Sequence, residues 1–515
     1  MEVFEQGLYL YFRRYQPSYP ILHSATFNPE KVSELLLFVM CMIGLSFFKT
    51  EDAVDFIRKM YPGILNEVYA QLIFAAADSQ TPADLLNYFV LAHHTLFLFI
   101  STGVIRGNFA QKSLDPFIYI PQQRQGNMAS SAPDLIKFMI CYSHHTLKNV
   151  PDGLLGLELN QQKILHDSWL SELFSMNPII RTDILILPLP LETILYQAPT
   201  CQKWSQLLTE IPHANQRLEL SSHHFHLPDL QGPIHVFSMY GLLCSVLLRV
   251  STDTRRLILS SDLVPAEQHH YVPWNICRLD KRASIVSPLL VSLVQLYDTT
   301  LRESNPNCIV IWHSVCMLLT ADLNLLSRAA GRDGPKSMSD ARRDLTFWAY
   351  TPAARRACVH AAQTFRTLSH RKPADGTAFQ SVRTLFMSAL ILGFYLLGSP
   401  ANAYMEGPTK WDQFDLANSV VDWKIIGDEG ISNDGTPSMA PHDPARLEDA
   451  AVRFIRFGGP ILIDGKKYEP GPRHAQRILL EFAGLLDEVG THWMANYARL
   501  LYMVHDTLVA PYTRS

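Results

Sequence analysis

The chain has 515 residues, 48% of them apolar and 18% charged. These are globular values that exclude wholesale disorder, and the length would hold roughly three average domains around a sizeable core. A formal net charge of −4 leaves no basic surplus for neutralising phosphates, the term that drives most non-specific nucleic-acid affinity.

The first informative stretch runs from Tyr11 to Phe48. Pro17 and Pro20 bias the residues before them towards extended conformations, so the lead up to Phe27 is predicted to be non-helical. Thr26 or Asn28 can cap a helix start, with Pro29 in its first turn and Glu30 near the positive end of its dipole. The run from Val32 to Phe48 is apolar nearly all round and is predicted to be a buried helix, with Gly44 letting a neighbour approach its backbone.

Residues 50–105 read as helices. Phe56, Met60, Ile64, Val68 and Leu72 recur every four residues, Pro62-Gly63 is expected to split the pattern in two, and Thr81-Pro82-Ala83-Asp84 can start a helix before the Leu85 run. Residues 107–133 read as a loop. Pro188 and Pro190 predict an extended crossing of the chain, closed by Trp204 as an apolar anchor. Residues 231–250 and 285–330 look helical. Trp312, Val315, Cys316, Leu319, Leu323 and Leu326 fall on one face of a single helix that Gly331 ends, with Arg328 near its negative pole.

Two more helices are expected over 353–398. Residues 401–472 read as a loop-rich insertion, densest in Gly, Pro, Asp and Asn between Ile426 and Pro444. The chain recovers with an apolar face of Ile478, Phe482, Leu485, Leu486 and Val489. A second face follows, of Trp493, Tyr497, Leu500, Leu501, Val504 and Leu508, and Gly490 between them predicts an antiparallel helix pair. No internal repeat of fixed period is present.

The eight cysteines include no C-x-x-C pair and mostly sit among apolar neighbours, and the opening MEVFEQGLYLYFRRY lacks the features of a secretory signal. A reducing compartment, cytosol or nucleus, is therefore expected. The Leu85–Ile105 run is interrupted by Asn87, His93 and His94, and Leu35–Phe48 and Leu385–Leu397 are shorter than the ~20 apolar residues a spanning helix needs, so buried helices are expected and no membrane.

The sequence assigns no catalytic, cofactor-binding or metal-ligating residue. His223, His224 and His226 could form a casual surface site, but metal-binding helices space their ligands three or four apart, so ordinary surface histidines are the plainer reading. Cys308 and Cys316 read as core residues, and no spaced Cys/His set for structural zinc exists. No G-x-S-x-G elbow occurs. In GGPILIDGKK, from Gly458 to Lys467, Pro460 stands where a phosphate loop needs its first glycine and Lys467 where it needs Ser or Thr. The basic pairs Arg13-Arg14, Arg255-Arg256, Arg342-Arg343 and Arg355-Arg356 read as solvated faces, with nuclear import or an acidic partner as the alternative, and RTLSHRKP from Arg366 is the most basic patch, with a nuclear-import fragment as its minor reading.

Three stretches carry a family resemblance. Tyr11-Phe12, Pro20-Ile21-Leu22-His23, Thr26-Phe27 and the late Gly44 form the first. Trp169 and Glu172, then Leu189, Pro190, Ala198 and Trp204, form the second, with Tyr196 where a tryptophan, and Leu191 where a cysteine, is more usual. Trp312-His313, Leu319, Ala321, Leu323, Leu325, Leu326 and Ala330-Gly331-Arg332 form the third and most specific. Together these resemble the fungal-specific transcription factor regulatory domain, or middle homology region, nearest the two-cysteine two-histidine zinc-finger subclass. The resemblance implies a mainly α, large irregular multi-helix domain over 1–515, with 401–472 as an insertion, and a nuclear regulator of RNA polymerase II transcription. It implies co-regulators or a small effector as partners and a possible homodimer. DNA would be bound only through a missing N-terminal finger or a partner, with zinc held in a full-length relative and no cofactor in this chain. A helical enzyme of unknown reaction, and a finger-less interaction protein that sequesters a related factor, are the competing readings.

Overall fold

The computed structural model describes residues 2–16, 22, 24, 27–48, 50–77, 90–91, 94–95, 98, 184–188, 198–210, 217–221, 225–226, 236–260, 272–372, 375–399, 414–419, 421–431, 449–489 and 495–509. Helices dominate these residues, as the apolar periodicity predicts. The chain divides into two compact units. One comprises Met1–Leu220, His226–Asp229 and Gly490–Asn496, and the other Ser221–Phe225, Leu230–Val489 and Tyr497–Ser515.

The first unit opens with α1 (Glu2–Leu10), which continues into a π-helical turn at Tyr11–Tyr15. Tyr11 and Phe12 are thus helical rather than extended. The prolines act only on the residues next to them, and Tyr11 and Tyr15 gain burial on one face. Asn28 caps a 3-10 turn at Pro29–Lys31, its side chain accepting from the Glu30 amide at 2.9 Å. The longer helix α2 (Glu34–Leu45) starts one step later, capped by Ser33 accepting from the Leu36 amide. The helix α3 (Glu51–Ala77) runs unbroken through the solvent-facing Pro62. Losing one backbone hydrogen bond there costs ~3 kcal/mol, and the packing of a buried stripe of Val54, Ile57, Tyr61, Ile64, Leu65 and Val68 offsets it. The every-four series fails as a core stripe because four residues advance about 40° beyond a full turn, which leaves Phe56 39% and Met60 37% exposed. Further on, β1 (Ile184–Pro188) is extended as the prolines require, α4 (Cys201–Glu210) carries Trp204, and β2 (Arg217–Ser221) lies between β1 and the two-residue β3 (Phe225–His226).

The second unit is a helical stack: α5 (Val236–Ser260), α6 (Val286–Thr299), α7 (Pro306–Thr320), α8 (Leu323–Ala329), α9 (Pro335–Ala349), α10 (Pro352–Ser369), α11 (Phe379–Gly398), α12 (Ala450–Phe457), the β4–β5 hairpin (Ile461–Ile463 and Lys466–Tyr468), α13 (Pro472–Val489) and α14 (Ala495–Val509). Cap-and-proline starts recur: Asn305 before Pro306 and Thr351 before Pro352 each accept from an amide of the following turn. The face from Trp312 to Leu326 is split between two helices. Asp322 accepts from the Asn324 and Leu325 amides, starts α8, and turns it 82° from α7. The carbonyl of Thr320, orphaned at that break, accepts from the Trp348 indole at 2.9 Å.

α11 sits at the centre of this unit, against α9, α10 and α13. It is long and apolar enough to cross a membrane, but 83% of its most apolar window is buried in the protein. Alanines 353, 354, 357, 361 and 362 line the buried face of α10 and let its neighbours come close. The principal partner of α13 is α11 rather than α14, and the residues around Gly490 lie outside the described set. Within 401–472 the described residues include a helical turn at Trp423–Ile426, α12 and the hairpin, with Trp423, Phe454, Ile461 and Tyr468 buried. Most of the Ile426–Pro444 stretch lies outside the described residues.

An ion network ties α5 to the segment after it. Asp253, buried with Arg249, faces Arg282 Nε at 3.1 Å and Arg256 Nη2 at 3.6 Å, and Arg256 reaches Asp280 at 3.0 Å. Burial outweighs the three arginines and pushes the Asp253 carboxyl up.

Candidate functional site

The motif residues converge on two places, one in each unit. In the first, α1 and α2 cross at paired glycines. A Cβ on Gly44 would lie 1.7 Å from the Gly7 carbonyl oxygen, and a Cβ on Gly7 would lie 2.7 Å from the Cys41 carbonyl oxygen. The contact is backbone against backbone and only glycine permits it. Just beyond, the motif tyrosine Tyr11 packs on Tyr15 and His94, with ring centroids 5.1 and 5.5 Å away. His94 Nδ1–H donates to the Val90 carbonyl at 2.6 Å, so Nε2 is left to accept the Tyr11 hydroxyl at 2.5 Å. Burial pulls the His94 pKa down to about 4, which keeps the ring neutral and able to accept. Phe12 stacks edge-on against Phe27, the last residue of the same motif, at 4.9 Å.

In the second unit, Trp312 and His313 of α7 meet Arg356 and His360 of α10 and Trp423 of the short turn after 421. All five are almost fully buried. Arg356 Nε–H donates to His360 Nε2 at 3.3 Å, so the His360 proton sits on Nδ1 and points at His313 Nδ1, 2.9 Å away. The guanidinium also donates to the Gly427 and Glu429 carbonyls at 2.9 and 2.6 Å. Trp423 lies flat on His360 with centroids 4.0 Å apart, and Trp312 donates its indole N–H to the Leu290 carbonyl at 3.2 Å. Burial holds both histidines well below the ordinary value, helped by Arg302 at His313 and by Arg356 at His360. Burial also pushes the Cys316 thiol up to about 12 despite Arg356 beside it.

A protonated thiol and two neutral imidazoles fully engaged in one another make poor nucleophile–base chemistry. What the cluster does is fix geometry: it locks α7, α10 and the 423–429 segment through one directed chain of hydrogen bonds.

Several residues singled out by the sequence take other roles. His223 and His224 lie outside the described residues, as do Pro20, His23 and Trp169, and His226 is in β3. Among the described residues no group of three or more His, Cys, Asp or Glu could hold a metal ion. Cys308 and Cys316 are buried core thiols, as expected. The Gly458–Lys467 stretch is a tight hairpin rather than a phosphate loop. Asp464 and Gly465 turn with φ 54° and 70°, and the carboxylate of Asp415 takes their two amide N–H groups.

The basic pairs correct the solvated-face expectation most clearly at Arg355-Arg356, both spent on backbone carbonyls. Arg366, in the most basic patch, is likewise tied to the Ala417 and Asn418 carbonyls. Arg332 holds Asp333 and Asn324, closing the turn after α8. Sequence reasoning placed Arg356 on a solvated face and missed His360 and Trp423. The only available signal was an Arg and a His four apart on a helix whose other face is alanine.

Residues 8–101 match the family described as fungal specific transcription factor domain. A curated protein named "Transcription factor" from Gibberella fujikuroi is 24% identical over 231 residues, 43% of this chain and 28% of its own length. A "Nicotinate catabolism cluster-specific transcription factor" from Emericella nidulans is 26% identical over 243 residues, 44% of this chain and 24% of its own length. The matched region therefore spans about a quarter of these relatives. No solved structure matches.

Proposed function

We propose that this chain is the regulatory module of a fungal transcription regulator. The family match over residues 8–101 carries the reading, and the names of the two relatives agree with it. The matched stretch includes the Gly44 crossing and the Tyr11–His94 lock, so its motif residues serve packing. The module acts in the nucleus on RNA polymerase II transcription, through co-regulators or a small effector. Its DNA contact comes from a zinc finger elsewhere in a longer protein, or from a partner. The net charge of −4 supports that division of labour.

The test is a tethered reporter. The full 515-residue chain is fused to an unrelated DNA-binding module and placed upstream of a reporter gene in a fungal host. A change of reporter output in either direction, lost on removing the tether site, is the expected result. Unchanged output with the fusion present in the nucleus would overturn the reading.

A further inference from the structure

The solvent-facing stripe of α13 reads Arg473, Arg477, Leu480, Gly484, Asp487 and Glu488. It has a basic start, an acidic end and an apolar centre. Leu480 is 40% exposed, and on the adjoining α14 Tyr502 and Met503 are 39% and 47% exposed. The Tyr502 hydroxyl donates to Asp487 at 3.1 Å, which joins the two helices into one surface. Gly484 is the anomaly. Among the described residues a Cβ there would meet nothing within 4 Å, so no described neighbour requires a residue that weakens a helix interior relative to alanine. A notch beside an exposed leucine is what a second helix needs for close approach.

The geometry points to a second copy of this chain as the occupant, docked antiparallel through α13. A two-fold axis at the level of residue 482 places Leu480 of each copy over Gly484 of the other, and Arg477 of each opposite Asp487 of the other. One patch thus supplies both knob and hole and both signs of charge, as an isologous interface requires. A parallel pairing would bring like charges together. Arg477 also holds Glu481 within its own chain at 3.2 Å, so the inter-copy pair adds to an existing cluster. Tyr502 and Met503 flank the crossing and extend its apolar area.

The experiment is sedimentation velocity on the full chain from about 1 to about 50 micromolar, a range that spans ordinary dimer affinities. The wild type is expected to dimerise. Arg477→Asp alone and Asp487→Arg alone each place like charges across both contacts and should raise the dissociation constant by about tenfold or more. Mixing the two variants restores both opposite-charge pairs, so the mixture should form a heterodimer that neither forms with itself. Gly484→Gln has open space in the monomer and gains helix propensity, so it should keep or raise the melting temperature while abolishing dimerisation. A monomeric wild type, a dimer unmoved by Gly484→Gln, or a mixture that fails to associate while both variants keep their wild-type circular dichroism would overturn the assignment.

Discussion

Replacing Gly44 by alanine adds one methyl group where α1 and α2 touch. That methyl would sit 1.7 Å from the Gly7 carbonyl oxygen and 2.5 Å from its carbon. Backbone atoms cannot swing aside as a side chain can, so the helices must separate. Overpacking of this kind costs about 1–3 kcal/mol, and a backbone obstruction belongs at the upper end. Alanine returns ~1 kcal/mol through its better helix propensity, which leaves a net loss of about 2 kcal/mol. The damage is local to α1, which docks mainly on α2 and the π-helical turn. Hydrogen exchange read on the amides of Glu5–Leu10 is therefore the assay, since it reports sub-global opening in a large chain. Protection there should fall roughly 30-fold, with the α11 amides unchanged. Gly7→Ala, whose Cβ would lie 2.7 Å from the Cys41 carbonyl oxygen, should cost less. Protection in α1 that is equal or greater in Gly44→Ala would refute the backbone-contact argument.

Other outcomes follow from the same geometry. His94 titrates near 6.5 when unfolded and about 4 when folded. The folded chain thus resists protonation, and the stabilisation is complete above pH 6.5 and lost as pH falls towards 4, up to about 3 kcal/mol. Comparing unfolding of wild type and His94→Gln at pH 7 and pH 5 should show a smaller pH loss in the variant. Arg356→Ala removes the donors to the Gly427 and Glu429 carbonyls and to His360, and should cost about 3 kcal/mol or more, read as a fall in melting temperature by tryptophan fluorescence. Asp415→Ala frees the hairpin amides of Asp464 and Gly465, at about 1–3 kcal/mol for charge-assisted bonds, visible as faster exchange of those two amides. On random-sequence duplex DNA the purified chain should show no binding at low salt. Steeply salt-dependent binding would mean that its arginines form a phosphate-neutralising face.

Much of the fold was legible because burial writes a period into the sequence. The all-round apolar run behind α2 and the capped starts of α7 and α10 announce themselves locally. The misreadings arise where a local rule met a tertiary one. Pro62 looked like a breaker, yet the buried stripe of α3 keeps the helix continuous. Gly331 looked like the end of the Trp312 helix, while the turn is made nine residues earlier by the Asp322 side chain. The hairpin at Asp464-Gly465 hid behind a likeness to a phosphate loop, although Asp-Gly between apolar residues is itself a hairpin signal. The Arg356–His360–His313 chain was the least legible. Its members come from two helices, Arg356 and His360 from α10 and His313 from α7, and its third wall, Trp423, comes from a stretch that reads as loop.

The central claim is that this chain regulates transcription from chromatin without supplying the DNA contact itself. The most direct measurement is immunoprecipitation of the tagged native chain from crosslinked fungal chromatin, with and without nuclease-sensitive DNA bridges. The account predicts enrichment of discrete promoters that depends on crosslinking to a finger-bearing protein or partner. Enrichment no greater than in an untagged strain, with the chain present at normal levels, would contradict it.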